Sequence, residues 1–108
     1  MLKFYVLSKT VGAGASQDTY ISPEKAITIK RIIVNERSGA DLYNVFLEIK
    51  IQGDPITKQD IPAWILNQPW NRTVPLEFSL GKGVKLEFSI TNNTASSIDI
   101  DIIVIYEE

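Results

Sequence analysis

The chain contains neither cysteine nor histidine. Without cysteine there are no disulfides, no thiolate nucleophile and no cysteine metal site. Without histidine the commonest general base, the commonest zinc ligand and every Ser-His-Asp arrangement are missing. An enzyme built from these residues would run on carboxylates, lysine, tyrosine or a bound cofactor, and no acid–base pair is evident, so a non-enzymatic protein is expected. There is no basic excess either: 11 Lys and Arg stand against 13 Asp and Glu, a net charge of −2. A nucleic-acid partner is therefore not expected. No apolar run approaches the roughly 20 residues of a membrane span. The opening residues, Met1 to Thr10, alternate instead of forming the apolar core of a signal peptide. The expectation is a soluble chain made in the cytoplasm, with no membrane partner. Methionine occurs once, while isoleucine is abundant. That is the profile of a thermophilic or AT-rich source, and equally of an ordinary all-β chain rich in β-branched residues.

No segment sustains a 3.6-residue period, so no long helix is expected. Period-two alternation is what is present, most clearly over residues 75–106. Leu76, Phe78 and Leu80 alternate with Glu77 and Ser79. Val84, Leu86, Phe88 and Ile90 alternate with Lys85, Glu87 and Ser89. Ile98, Ile100, Ile102, Val104 and Tyr106 share one parity of a last strand, with Asp99 and Asp101 on the other. Leu-Glu-Phe-Ser occurs at 76–79 and again at 86–89, around Gly81-Lys82-Gly83, a sequence suited to a hairpin.

Earlier in the chain, residues 2–7 suit a strand with Phe4 and Val6 inward and Tyr5 outward. Residues 11–17 are small and flexible in composition; their Gly-Ala-Gly lacks the lysine and the helix of a phosphate-binding loop. Residues 18–22 suit a short strand halted by Pro23. In residues 25–34, Ile27 and Ile29 share one parity and Ile32 and Val34 the other, so a β-bulge or a bend between sheets is expected at Lys30-Arg31. Residues 43–51 place Tyr43, Val45, Leu47, Ile49 and Ile51 on one face and Asn44, Phe46, Glu48 and Lys50 on the other. Residues 54–75 form an irregular loop with four of the five prolines and both tryptophans, with a single helical turn capped by Asp60. The whole reads as a single-domain, all-β antiparallel β-sandwich of seven to eight strands, in jelly-roll or related Greek-key order.

Three features of this pattern bear on function. If residues 75–106 form a plain meander, Glu77 lies opposite Glu87, and Glu87 opposite Asp101. Such an acidic row would bind Ca²⁺, meet a basic partner surface or stand solvated, and it disappears if the strands belong to different sheets. Trp64 and Trp70, with Tyr43, could stack on a carbohydrate; Trp64 is expected to cap the core and Trp70 to make contacts. Finally, Ile103 and Ile105 are surplus to the inward parity of the last strand and need a cover, as do Tyr5 and Phe46. With Trp70 these are the candidate interface residues. The sequons at Asn71 and Asn92 are read as chance. No cofactor is expected.

The stretch Phe78 to Thr94, closing with Ile98 to Tyr106, resembles the last strands of small β-sandwich structural proteins of viruses: capsid, capsid-decorating and tail-associated proteins of phages and archaeal viruses. The resemblance implies a virion or assembly component, found in the virion or the host cytoplasm. Such a component would act through symmetric contacts with itself or with other virion proteins.

Overall fold

The computed structural model describes residues 2–56, 60–67 and 76–108. Among them are nine strands: β1 (Leu2–Val11), β2 (Ser16–Ile21), β3 (Ile27–Glu36), β4 (Val45–Ile51), β5 (Asp54–Pro55), β6 (Ile61–Pro62), β7 (Phe78–Leu80), β8 (Leu86–Asn92) and β9 (Ile98–Glu107). The helical content is one 3-10 turn at Ala63–Leu66. Among the described residues, no helix is long and apolar enough to cross a membrane.

The strands form two antiparallel sheets packed face to face. The first has the order β1-β9-β3-β7 and the second β2-β8-β4-β5, with β6 also pairing β4. The pairs are nested: β1 with β9, β2 with β8, β3 with β7, and β4 with β5 and β6. This is the pairing of one long antiparallel ribbon folded at β4–β5. Wrapping that ribbon brings β9 against β3 and β8 against β4, which is the jelly-roll order. The described residues of the 54–75 stretch are less irregular than its prolines suggest. Residues 54–55 and 61–62 run along the same side of β4 as two ends of an interrupted edge strand.

The plain meander expected for residues 75–106 does not form. β7 and β9 lie in the first sheet and β8 in the second, so both connections cross between sheets. Gly81–Gly83 is therefore a crossover turn, with Gly83 at φ +73° donating its N–H to the Pro23 carbonyl at 2.8 Å. The tightest hairpin is elsewhere, between β4 and β5. There Gln52 and Gly53 both take positive φ, at 50° and 83°, the signature of a two-residue type I′ turn. Gln52 tolerates it because Lys85 holds it twice: Gln52 N donates to the Lys85 carbonyl at 3.0 Å, and Lys85 N donates to Gln52 Oε1 at 3.1 Å.

The core follows from alternation. Ile98, Ile100, Ile102, Val104 and Tyr106 are all buried, as are Leu47, Ile49, Leu86, Phe88 and Ile90 from the facing sheet. The expected slip in β3 is present: the register against β9 shifts between Ile29 and Arg31, and Ile27, Ile29, Ile32 and Val34 all reach the core through it. Three expectations fail. Phe4 and Val6 point outward while Tyr5 and Leu7 pack against the core. Tyr43 precedes β4 and is exposed, with Leu42 buried instead. The 3-10 turn starts at Pro62 with no side-chain cap, so Asp60 does not cap it.

One buried polar residue ties the loops at one end. Asn92 is fully buried. Its Nδ2 lies 3.0 Å from the Val11 carbonyl, 3.2 Å from that of Gly12 and 2.8 Å from that of Ser96. Its Oδ1 accepts the Thr94 N–H at 3.0 Å. The β1–β2 and β8–β9 connections are thus held together by one amide. Asn92→Ala would remove this donor from the Val11 and Gly12 carbonyls, while Ser96 keeps the Thr94 hydroxyl at 2.8 Å, and a buried unsatisfied group costs roughly 1–3 kcal/mol. The variant should lose about 3 kcal/mol of stability, read as a lower urea midpoint. An unchanged midpoint would show that water replaces the amide at no cost.

Candidate functional site

The two outer faces of the sandwich differ. On the second sheet, the outward parity carries Ser16, Asp18 and Tyr20 on β2, Glu87, Ser89 and Thr91 on β8, and Phe46, Glu48 and Lys50 on β4. This is a polar surface. Lys50 pairs with Glu48 at 3.0 Å, and the Lys85 ammonium sits 4.7 Å from the centre of the Tyr20 ring.

The outward parity of the first sheet is apolar at one end and polar at the other. Register places Phe4 beside Ile105, Val6 beside Ile103, and Ile103 beside Ile33. With Leu2 these residues line one shallow trough made of six apolar side chains. Leu2, Phe4 and Val6 are 45%, 62% and 59% exposed, whereas Ile105 is only 3% exposed. Ile105 lies between Phe4 and Arg31 in register, so its own chain covers it. The β3 bulge sets the rim at one end. It lets Lys30 lie 2.9 Å from Glu77 and 3.7 Å from Glu107, and the Glu77 carboxylate raises the Lys30 ammonium above its ordinary pKa.

At the other end the same three strands carry a polar network. Asp101 accepts from the Ser8 hydroxyl at 2.6 Å, from Asn35 Nδ2 at 3.3 Å and from Arg37 Nε at 3.1 Å. Thr10 donates to Asp99 at 2.7 Å. Beside it, the Glu36 carboxylate accepts the backbone N–H groups of Ser38 at 2.6 Å, Ala40 at 3.1 Å and Asp99 at 2.6 Å, and the Ser38 hydroxyl at 2.7 Å. Burial pushes the Glu36 carboxyl up. The Ser38 hydroxyl and the three N–H groups outweigh it and hold the group below its ordinary range.

The structure separates most of the residues that the sequence grouped. Glu77 precedes β7, Asp101 lies on β9 of the same sheet, and Glu87 lies on β8 of the opposite sheet. The acidic row is thus replaced by three separate environments, and among the described residues no His, Cys, Asp and Glu side chains converge as a metal set. Of the interface candidates, Ile103 and Ile105 face outward together. Tyr5 turns inward and stacks on Tyr106, with ring centroids 4.8 Å apart. Burial, then the neighbouring Tyr106, raises the Tyr5 phenol above its ordinary pKa. Phe46 is half-buried on the other sheet, opposite Pro62 and Thr91. Trp70 lies outside the described residues. Trp64 does not cap the core: Ala63 and Leu66 are the buried residues of its turn, while Trp64 is 42% exposed. It meets the exposed Tyr43 edge to face, with centroids 6.2 Å apart and rings inclined by 61°.

Leu2, Phe4, Val6 and Ile33 are the outward residues that the sequence reading did not find. A signal for β1 existed. Leu2-Phe4-Val6 and Tyr5-Leu7 are equally apolar, but the strand continues to Val11. The even parity then ends in Ser8 and Thr10, and the odd one in buried Val11.

Comparison of the sequence with family models finds no match, and comparison with curated proteins finds no relative.

Two outcomes follow. Because Glu36 has a lowered folded pKa, its contribution is present above the unfolded value of about 4.3 and is lost as pH falls through the folded one. Thermal melts from pH 7 to pH 2.5 should therefore show Glu36→Gln less stable than the parent at neutral pH, with the gap closing in acid; a constant gap would exclude the carboxylate charge as its source. Since Glu77, Glu87 and Asp101 are apart, a Ca²⁺ chelator should leave the melting temperature unchanged. A clear drop abolished by Glu87→Gln would refute this arrangement.

Proposed function

We propose that this chain is a non-enzymatic structural protein, a β-sandwich building block of a virion or a similar assembly, which works through contacts between copies of itself. The observation that carries the reading is the trough of six apolar side chains on β1, β9 and β3. The opposite sheet shows what an outer face of this sandwich looks like when it meets water, and the trough departs from that polar composition. These apolar side chains are contiguous and not scattered singly, which supports an interaction site. The jelly-roll order serves viral capsid proteins, lectins and cupins alike. The choice among them rests on the trough and on the viral resemblance of residues 78–106.

Covering the exposed halves of Leu2, Phe4 and Val6 would contribute roughly 1 kcal/mol for each side chain. A symmetric contact doubles this to about 6 kcal/mol, while association costs an estimated 4–15 kcal/mol. The trough therefore directs assembly but needs further contacts to hold it.

A second reading, a carbohydrate-binding module, is favoured by the Tyr43–Trp64 pair, which puts two exposed aromatic rings side by side on the surface. Their inclination makes a corner instead of a flat platform for one sugar ring.

Light scattering at about 1–100 µM, which resolves self-association with micromolar Kd, should give a mass above that of one chain. The double variant Phe4→Ser with Val6→Ser should lower that mass while keeping the parent's β-rich circular dichroism, because both residues are exposed. Ile105→Thr does not suit this purpose, because Ile105 is already covered within its own chain. A monomeric parent whose Trp64 fluorescence responds to oligosaccharide would overturn the assembly reading in favour of the second.

A further inference from the structure

Resting on the assembly reading above, we infer that the first contact between copies is made by the free edge of β1, pairing antiparallel with β1 of a second copy about a two-fold axis at Tyr5. The argument starts from the edges. β1 is ten residues long, ends the first sheet and, among the described residues, pairs only with β9. A strand edge is a row of unpaired N–H and C=O groups that another chain can join, and proteins usually blunt such edges with shortness, proline or charge. The other described edges are blunted in this way. β7 has three residues. β5 and β6 have two each and contain Pro55 and Pro62. β2 carries exposed Ser16, Gln17 and Asp18. β1 is long, contains no proline and no bulge, carries its two lysines, Lys3 and Lys9, on the other parity, and has Leu2, Phe4 and Val6 as its outward side chains at the relevant end.

Area points the same way. The trough spans three strands and about three outward positions, roughly 15 Å by 15 Å. That is well short of the ~800 Å² per partner of a standard interface. Face-to-face contact over the trough alone is too small, whereas edge pairing adds main-chain hydrogen bonds and joins the two troughs into one surface on the same side of a continuous sheet.

Charge selects the register. A two-fold axis perpendicular to the sheet must pass through a residue, so that outward side chains meet outward ones. With the axis at Val6, Lys3 would oppose Lys9 of the other copy twice, and like charges directly opposite are unfavourable. With the axis at Leu7, Phe4 would oppose Thr10. With the axis at Phe4, only the five residues Leu2 to Val6 overlap among those described. The axis at Tyr5 pairs Phe4 with Val6 in both directions, Lys3 with Leu7 and Leu2 with Ser8. It is the longest overlap that keeps the lysines apart and Phe4 against an apolar neighbour. Lys3 remains free to keep its 2.9 Å ion pair with Glu108 on the same copy.

The chain has no cysteine, so single cysteines report the register without background. Opposed residues on neighbouring strands have Cα atoms about 4.5–5.5 Å apart, inside the range a disulfide spans. On mild oxidation Tyr5→Cys alone should give a disulfide-linked dimer. Phe4→Cys mixed with Val6→Cys should give a linked heterodimer in preference to either homodimer. Phe4 and Val6 are exposed, so this second pair stays informative even if losing the Tyr5–Tyr106 stack unfolds the first variant. Preferential self-linking of Phe4→Cys or of Val6→Cys would place the axis elsewhere and overturn the proposal. No linking by any variant, with an oligomeric parent, would overturn edge pairing and leave assembly through the trough standing. A monomeric parent would remove both.

Discussion

Strand β9 holds the first sheet together, because it is hydrogen-bonded on both sides along its length, to β1 from Leu2 to Val11 and to β3 from Thr28 to Glu36. Its inward parity, from Ile98 to Tyr106, fills the centre of the sandwich. Its outward parity reads Asp99, Asp101, Ile103, Ile105 and Glu107. Whatever the outer face presents is therefore set by β9 and copied outward by register. Ser8 and Asn35 are polar where β9 is polar, and Val6 and Ile33 are apolar where β9 is apolar. A one-residue slip of β9 would exchange core and surface along both neighbours at once.

Much of this was legible in the sequence. Strict alternation identified the inward set of β9, and the change of parity between Ile29 and Ile32 located the β3 bulge, because a half-buried strand can reach the core on both parities only by inserting a residue. Alternation says which face a residue takes and nothing about which strand lies beside it. The doubled Leu-Glu-Phe-Ser around Gly81-Lys82-Gly83 thus looked like a hairpin, although its two copies belong to different sheets. The error mattered for function. It created an acidic row from Glu77, Glu87 and Asp101 that the crossover separates. For β1, both parities are apolar over Leu2 to Leu7, and the outcome is decided only by Ser8, Thr10 and Val11 further along.

The same ambiguity in β1 carries a physical consequence. A strand apolar on one parity is satisfied by one core. β1 has an inward set, Tyr5, Leu7 and Val11, that packs on the sandwich, and an outward set, Leu2, Phe4 and Val6, that its own chain leaves open. Ile103 does not face this problem to the same degree, since Val6 and Ile33 flank it in register on either side. Exposure is therefore concentrated on the strand at the edge of the sheet, where lateral neighbours are missing.

In the assembly proposed above, the polar end of the face would give the apolar end its specificity. A uniformly apolar sheet could meet another in many registers. Here Asp101 is held by Ser8, Asn35 and Arg37, and Lys30 by Glu77 and Glu107, so fixed charged groups bracket the trough along the strand direction. Sliding a partner along β1 by two residues would carry apolar side chains onto these groups and strip water from hydrogen bonds that are complete as they stand. The trough supplies attraction, and the polar groups at its ends restrict the positions in which that attraction can be realised.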